Sequence, residues 1–204
     1  MLFRSKTVDA SANTGGLTYV SAATAGSTTI TGSATAANTL TGGVTADTIT
    51  GGAKNDTITS GTGLDVLKGG DGSDTFVLSA NANGNTYATI SDLTKTAGGV
   101  TGDIIDATAL KAHGNLNTSF AAGDKVVLAD TAAFADYLNA AAAGDGSVNS
   151  HAKWFVYGGN TYIVEDKTTN AAGTFAATDI VVKLTGLVDL STATGAGTHI
   201  ITLA

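Results

Sequence analysis

Large apolar residues recur every nine positions in one stretch of the chain, and each stands two places after an aspartate. The stretch runs from residue 42 to residue 77 and holds four copies of this pattern. The aspartates are Asp47, Asp56, Asp65 and Asp74, and the apolar residues are Ile49, Ile58, Leu67 and Phe76. Three residues suffice for a short strand with its middle residue turned inward, and six suffice for a turn. Two repeats therefore close one coil, and the pattern predicts a solenoid of stacked coils with one buried column of these apolar residues.

Coils that stack bring together repeats that are two apart in the sequence. Neighbouring strands of a sheet lie about 4.8 Å apart, so we expect Asp47 near Asp65 and Asp56 near Asp74. Two carboxylates at that separation repel by roughly 4 kcal/mol at an intermediate dielectric, and a bound cation would remove this repulsion. The predicted turns are 42–47 and 60–65 at one edge, and 51–56 and 69–74 at the other.

The turns also offer backbone oxygens. Carboxylate and carbonyl oxygens favour Ca²⁺ over softer metals, and glycines let a turn adopt positive φ without a Cβ clash. A disordered linker would explain the glycines but not the period of aspartate and apolar residue. The candidate turn ligands are Gly42, Gly43, Thr45, Gly51, Gly52, Gly61, Gly63, Gly69, Gly70 and Gly72. Thr45 and Lys54 replace a glycine of the later repeats, and whether calcium occupies the turn of Lys54 stays open.

The stretch 42–77 resembles the RTX nonapeptide repeats G-G-x-G-x-D-x-U-x of secreted bacterial proteins. This resemblance implies an all-β fold, a right-handed parallel β-roll or β-helix solenoid with Ca²⁺ in its turns. The segments Ile90–Leu93 and Gly102–Asp106 are similar to those that follow the last repeat in that family. By the same resemblance Asp92 and Asp103 would hold a further calcium ion. Carboxylates that only cap turns are the alternative.

Residues 7–41 look like weaker copies of the same solenoid. Ile30 and Leu40 extend the apolar period, while Asn38 stands where the later copies have an aspartate. We expect these coils to be held by packing and backbone hydrogen bonds rather than by metal. Because an opening coil needs a polar cap and none is visible, we expect the chain to be the C-terminal part of a longer protein. The apolar residues of one more coil would be Val8, Leu17 and Val20.

Residues 130–143 predict one short helix. Phe134, Tyr137, Leu138 and Ala141 share a face in helical spacing. Asp130 or Thr131 could cap the start, and Gly144 would end the helix. We expect this helix to cover the open end of the solenoid.

Alternating apolar residues predict a C-terminal antiparallel cap. Lys153–Tyr157 and Thr161–Glu165 flank Gly158-Gly159-Asn160, which indicates a tight hairpin, and Asp179–Leu184 predicts a further strand. Three earlier apolar segments, outside the period, are Tyr87–Leu93, Gly102–Leu110 and Ala122–Leu128. The sequence predicts three divisions: weaker solenoid coils without calcium aspartates at 1–41, the calcium-binding roll at 42–77, and a capping and export region at 78–204.

Composition narrows the class of function. The chain has 10 basic against 17 acidic residues, which disfavours binding to nucleic acid or anionic membranes. Cysteine is absent, so there is no disulfide framework. No apolar run is long enough to span a membrane, and the first residues lack the apolar core of a secretory signal peptide. The three histidines are scattered and no H-E-x-x-H occurs, so we expect a non-enzymatic protein.

Residues 129–204 resemble the C-terminal region of RTX-bearing bacterial surface-layer proteins. In that family this region carries an uncleaved signal for type I secretion, which implies export to the cell surface, a type I exporter as partner, and self-assembly into a lattice. Two alternatives remain open. One is the C-terminal domain of an RTX protease or lipase; the other is an adhesin or ice-binding module. Thr48, Thr57 and Thr75 share one repeat position and favour the latter, whereas Val66 breaks the row.

Overall fold

The computed structural model describes residues 6–21, 26–79, 87–95, 101–107, 120, 122–143, 152–166, 174–176, 179–195 and 200–203. Most regular structure in these residues is strand. The strands are β1 (Thr7–Asp9), β2 (Thr18–Val20), β3 (Thr29–Thr31), β4 (Thr39–Thr41), β5 (Thr48–Gly52), β6 (Thr57–Thr59), β7 (Val66–Gly70), β8 (Thr75–Val77), β9 (Ala88–Ile90), β10 (Ile104–Asp106), β11 (Lys153–Tyr157), β12 (Asn160–Glu165), β13 (Ile180–Leu184), β14 (Thr194–Gly195) and β15 (Ile200–Thr202). The described helices are α1 (Phe134–Ala142) and a 3₁₀ turn (Ala122–Asp124).

Successive strands alternate between two sheets. The first sheet has the order β1-β3-β5-β7-β9-β13-β12-β11, and the second has the order β14-β15-β10-β8-β6-β4-β2. Strands β1 to β10 are paired in parallel within each sheet, so that two consecutive strands form one coil. The fold is therefore a parallel stacked-coil β-solenoid, as the nine-residue period predicts. The coils at 7–41 belong to it.

The core consists of two apolar columns that face each other. Most short strands turn their second residue inward because successive side chains point to opposite faces. In β9 the pattern is reversed, and its end residues Ala88 and Ile90 are buried. The first sheet contributes Ile30, Ile49, Leu67 and Ile90, and the second contributes Leu40, Ile58, Phe76 and Ile105. All eight are at most 1% exposed. The predicted residues are thus buried, but in two columns rather than in one.

The first coil corrects one assignment. Tyr19 is the middle residue of β2 and packs against the core, together with Val8 and Leu17. Val20 ends the strand and is 66% exposed. The prediction of Val20 as a core residue is wrong because Tyr19 takes the inward position of β2, and neighbouring side chains in a strand point to opposite faces.

The solenoid continues beyond Val77. Strand β9 pairs with β7 and places Ile90 beside Leu67, and β10 pairs with β8 and places Ile105 beside Phe76. These partners lie 23 and 29 residues apart, against 18 in the regular coils. Longer connections hide this coil from the sequence period, and within Tyr87–Leu93 and Gly102–Asp106 only three residues each form strand.

Three antiparallel strands extend the first sheet at its C-terminal end. Strand β13 pairs with β9 in parallel, and β12 and β11 follow in antiparallel order. The hairpin is confirmed, although its turn contains only Gly158 and Gly159, both at positive φ, while Asn160 belongs to β12. Trp154, Ile163 and Val182 face the main core, and Phe155, Tyr162, Val164 and Val181 form a second cluster on the opposite face.

The helix lies on the outer face of these antiparallel strands. Leu138 and Ala141 are buried in the second cluster, with Phe134 and Tyr137 packed against it. The prediction that this helix covers the open end of the solenoid is therefore wrong. The apolar strand faces against which it packs lie outside the coils. Its first turn is held by Asp136, which accepts a hydrogen bond from the Ala133 amide at 2.8 Å.

Neither Asp130 nor Thr131 is the N-cap of α1, which is Ala133, and Gly144 lies outside the described residues. The apolar segment at 122–128 forms the 3₁₀ turn and then a single bridge between Lys125 and Trp154. Among the described helices, none is long and apolar enough to cross a membrane.

Candidate metal centre

The four repeat aspartates form two buried stacks, one at each edge of the solenoid. Each is at most 2% exposed. The Asp47 amide donates to Asp65 Oδ1 at 2.9 Å, and the Asp56 amide donates to Asp74 Oδ1 at 2.8 Å. The predicted pairs are therefore confirmed. Each carboxylate holds the backbone of the coil before it, at the point where a strand begins.

Both stacks extend beyond the four regular repeats. The Thr28 amide donates to Asp47 Oδ1 at 2.6 Å, and the Asn38 amide donates to Asp56 Oδ1 at 2.7 Å. At the other end, the Asp74 amide donates to Asp103 Oδ1 at 2.9 Å. One edge thus runs from residue 28 to residue 65, and the other from residue 38 to residue 103.

Three of the aspartates leave one carboxylate oxygen without a partner. Oδ2 of Asp56, Asp65 and Asp74 is buried and accepts no hydrogen bond. A buried acceptor without a partner costs about 1–3 kcal/mol, and more when it is charged. An oxygen ligand of this kind suits a hard cation such as Ca²⁺. The residues present therefore fit calcium at both edges.

Asp47 and Asp103 are satisfied differently. Oδ2 of Asp47 accepts the amide of Gly43 in its own turn at 2.6 Å, and Oδ2 of Asp103 accepts the amide of Thr94 at 2.7 Å. Both oxygens of these carboxylates already have backbone donors. Their contribution to a calcium site would come from remaining lone pairs rather than from an unpartnered oxygen.

Burial makes the stacked carboxylates resist ionisation. It raises the pKa of Asp65 to about 6, with a further rise from the neighbouring Asp47 charge. It raises the pKa of Asp74 to about 7, with smaller contributions from Asp103, Asp56 and Asp92. Burial also raises the pKa values of Asp56 and Asp103. In each case a hydrogen bond from a backbone amide partly offsets the rise in pKa. A bound cation would stabilise the ionised carboxylates, which burial destabilises.

Glycines bring the turn backbone close to the carboxylates and to the neighbouring coil. A Cβ at Gly42 would lie 3.1 Å from Asp47 Oδ2, and at Gly51 or Gly69 it would collide with the carboxylate of the same repeat. A Cβ at Gly63 would lie 2.6 Å from the carbonyl carbon of Thr45, and one at Gly72 would lie 2.8 Å from that of Lys54.

The later two turns also differ in backbone conformation from the earlier two. Gly61, Gly63, Gly70 and Gly72 adopt φ values of 79°, 137°, 102° and 138°. Gly52, which occupies the same repeat position as Gly70 and stacks directly beneath it, has no positive φ. The turns with Thr45 and Lys54 therefore form a second type, within the same stacks.

Asp92 and Asp103 join the second edge after the period has ended. Asp92 accepts the amides of Gly69 and Gly70, both at 2.9 Å. Asp103 binds the turn through Asp74 and Thr94, as described above. Both therefore act as turn-capping carboxylates, and a further calcium ion between them stays a prediction. Sequence spacing missed the link between Asp92 and this turn because 23 residues separate Asp92 from Gly69.

Asn38 stands where the later repeats have an aspartate, and both Oδ1 and Nδ2 of its side chain form hydrogen bonds. Its Oδ1 accepts the amides of Ser33 and Leu17 at 2.8 and 2.9 Å. Its Nδ2 donates to Asp56 Oδ1 at 2.8 Å and to the carbonyls of Ser33 and Ala36. This coil is held by hydrogen bonds, as expected for a copy without the aspartate.

Side chains alone do not complete a metal site. In the part of the chain that the structure describes, no three His, Cys, Asp or Glu side chains come together as a metal-binding group. Since Ca²⁺ takes six to eight oxygen ligands, an ion in either stack would also draw on backbone carbonyls. The turn residues predicted as ligands supply these, and their assignment one by one stays a prediction.

Comparison with known proteins agrees with this arrangement. A family model for the RTX calcium-binding nonapeptide repeat matches residues 23–53 and 41–76. The chain therefore carries RTX repeats, and repeats of this type bind Ca²⁺. The match begins upstream of residue 42, within the weaker copies. A search of curated proteins found no match to the chain.

Proposed function

We propose that this chain is the C-terminal part of a surface-layer-like protein that is exported from a bacterial cell, and that its coils fold when they bind calcium. The observation that carries the calcium role is the set of three buried, unpartnered carboxylate oxygens on Asp56, Asp65 and Asp74. RTX repeats form a calcium-binding structure rather than a typical catalytic one. The role is therefore structural.

The residues would couple folding to the calcium concentration. Without a cation, ionised carboxylates lie stacked and buried at both edges, which disfavours the closed coils. Bound Ca²⁺ would supply the missing ligand of each Oδ2 and neutralise the stack. Extracellular calcium modules have dissociation constants of about 10⁻⁴–10⁻³ M, and binding to such a site contributes directly to folding. The roll would stay loose where calcium is scarce and close outside the cell.

Export through a type I secretion system supplies the second part of the proposal. A chain that stays loose inside the cell can be threaded through a narrow exporter. The region after the repeats resembles the export region of surface-layer proteins, and its antiparallel strands extend the first sheet and add side chains to the main core. Assembly of copies into a surface lattice completes the proposal.

Calcium titration tests the folding role. Adding Ca²⁺ to chelator-treated protein should raise the strand signal in circular dichroism and the melting temperature. Magnesium should act poorly because it demands a stricter octahedral shell and dehydrates reluctantly. An unchanged melt in excess chelator would exclude the proposed role.

A matched pair of variants makes this test specific. Asp65→Asn keeps an Oδ1 acceptor for the Asp47 amide but removes the charge, so the calcium-induced shift in melting temperature should shrink. Asp130→Asn makes the same change at an exposed carboxylate outside the solenoid, and its shift should match that of the original chain. Equal shifts in both variants would contradict the assignment of Asp65.

A further inference from the structure

The last described strand, β15, is joined to the solenoid through β10. The two strands pair in antiparallel order with Ile201 opposite Ile105, and the other described partner of β15 is the two-residue strand β14. Ile201 and Leu203 are 4% and 2% exposed and belong to the main core. The burial of this segment therefore depends on β10 remaining in its place.

Strand β10 is in turn fixed at the turn that contains Asp74. The Asp74 amide donates to Asp103 Oδ1 at 2.9 Å, and the Ile104 amide donates to the Asp74 carbonyl oxygen at 2.8 Å. Oδ2 of Asp103 accepts the Thr94 amide at 2.7 Å. The start of β10 is therefore bonded directly to one of the three aspartates whose Oδ2 is buried without a partner.

The antiparallel strands β11 to β13 have a second source of packing that β15 lacks. Their outer face forms the second apolar cluster with α1, in which Phe155 and Val164 are completely buried. Neither Ile201 nor Leu203 belongs to that cluster. Opening of the coils would therefore remove the neighbours of β15 and leave one face of the hairpin packed.

We propose that the turn at 69–74 controls whether β15 is buried in the solenoid or accessible to a partner protein. When this turn is closed, Asp74 and Asp103 hold β10 beside β8, and β15 extends the second sheet. When the turn opens, β10 leaves β8, and Ile201 and Leu203 lose the side chains that cover them. The hairpin of β11 and β12 stays folded in both states.

The biological meaning of this control rests on the proposed function, in which the export signal lies in residues 129–204. The segment of β15 would then be accessible to a type I exporter while calcium is scarce. It would be buried once the coils have closed. A chain that has folded outside the cell would therefore no longer present this segment to an exporter.

Single cysteine variants measure this burial directly, because the chain has no cysteine of its own. Leu203→Cys places a thiol beside β15, Val164→Cys places one in the second cluster, and Val127→Cys places one at a residue that is 75% exposed. The complete chain would be treated with a maleimide, in saturating calcium and in excess chelator. Chelator should speed up the labelling of Leu203→Cys by about tenfold or more. Labelling should stay slow at Val164→Cys and fast at Val127→Cys.

Hydrogen exchange provides the same measurement without a substitution in the core. In the original chain, the amides of residues 200–203 should exchange faster in chelator than in calcium. The amides of β12 should change much less, because this strand keeps its own cluster. This comparison decides the question even if a cysteine variant does not fold.

Two alanine variants test whether the turn of Asp74 is responsible. Asp103→Ala removes both acceptor oxygens that hold β10, and it should speed up the labelling of Leu203→Cys with calcium present. Asp47→Ala is the matched control, because Asp47 is equally buried and also accepts two backbone amides. Asp47 lies at the other edge of the solenoid, so its loss should speed up the labelling less.

Faster labelling of Leu203→Cys in chelator, with Val164→Cys still slow, supports the proposal. Protection of residues 200–203 that does not depend on calcium overturns it, as does equal acceleration at both buried thiols. Equal effects of the two alanine variants would also overturn it. Failure of the proposed function is distinguished by the melt: if chelator lowers the melting temperature while residues 200–203 stay protected, only the control of β15 is wrong.

Discussion

Asp56, Asp65 and Asp74 each perform two tasks with one carboxylate. Oδ1 holds a backbone amide of the coil before it, and Oδ2 stays buried without a partner. The first task contributes to the apo fold, whereas the second opposes it. The same side chain therefore aligns the coils and, under the proposed function, would make them depend on a cation.

The raised pKa values predict an inverted pH dependence in the absence of calcium. The pKa of Asp65 rises from 3.8 to about 6 and that of Asp74 from 3.8 to about 7. Between these limits the folded chain binds more protons than the unfolded chain, so its stability falls as pH rises. Melting temperatures in chelator should therefore decrease from about pH 4 to pH 7.

Calcium should reverse this trend because it binds the deprotonated carboxylates. Asp74→Asn removes the group with the higher pKa, and its melting temperature in chelator should depend less on pH. A melting temperature that rises between about pH 4 and pH 7 in chelator would contradict the assigned pKa shifts.

Glycine at position 63 should be required for its turn. Its φ of 137° disfavours any side chain, and an added Cβ would meet the backbone of Thr45. We expect Gly63→Ala to lower the free energy of unfolding by about 1–3 kcal/mol, the usual cost of a strained backbone position. Urea unfolding with calcium present measures this loss.

Gly123→Ala provides the control for that change. A Cβ at Gly123 meets no atom within 4 Å, and its φ is not positive. Its free energy of unfolding should change by less than about 0.5 kcal/mol. Equal effects at both positions would show that the close contact between turns is not required.

Strands of only three residues are stable here because stacking replaces length. The three-residue strands of the regular repeats each bury one residue, and neighbouring strands on both sides supply their backbone hydrogen bonds. The coil formed by β9 and β10 stacks in the same way with longer connections, although β9 buries both Ala88 and Ile90. The repeating unit is therefore one large inward side chain and one aspartate that holds the backbone of the coil before it.

Leu67→Ala tests that unit of structure. Leu67 is completely buried between Ile49 and Ile90 in the first column. Its truncation should lower the free energy of unfolding by about 2–5 kcal/mol, as for other buried leucines. The exposed neighbour provides the control, since Val66→Ala should cost less than about 0.5 kcal/mol. If urea unfolding gave similar losses of unfolding free energy for both variants, the assignment of Leu67 as the inward residue of the strand would be wrong.

At the scale of the whole molecule, the roll with its stacked aspartates is joined to a C-terminal end that is built differently. The antiparallel strands and α1 enclose a second apolar cluster with stacked aromatic rings, including Phe155 and Tyr162 at 5.2 Å between centroids. Because β13 pairs directly with β9, this end also gives the last coil a hydrogen-bonded neighbour. A preformed end of this kind would offer a surface on which coils can stack when calcium binds.

Export can be tested at this scale by moving whole segments. Deletion of residues 129–204 from the native gene should leave the protein inside the cell. A fusion of residues 42–204 to a slowly folding passenger should carry the passenger out. Efficient export of the shortened protein would show that the export signal lies outside residues 129–204. The antiparallel strands would then have only a structural role at the end of the solenoid.

The sequence by itself determined the coil, the core residues of the repeats at 42–77 and the stacking of their aspartates. These features repeat with a local period, and a period of nine residues leaves only one inward position in each short strand. The same logic identified Ile30 and Leu40 in the weaker copies. It also predicted the C-terminal hairpin, since alternation and two glycines define that element without distant contacts.

Only the tertiary structure revealed the coil whose strands stack like those of the regular repeats although its sequence lacks the nine-residue period. Connections of unequal length conceal the coil of β9 and β10 from the sequence period. Asp92 and Asp103 entered the sequence analysis only through the family resemblance, and the structure supplies their hydrogen bonds to the Gly69 and Asp74 amides. Which carboxylate oxygens lack a partner depends on the conformation of each turn, which similar repeats do not share. Thr57 and Thr75 share one sheet, and Thr48 and Val66 share the other, for a related reason: odd and even repeats lie on opposite sheets, so neighbours in sequence are not neighbours on the surface.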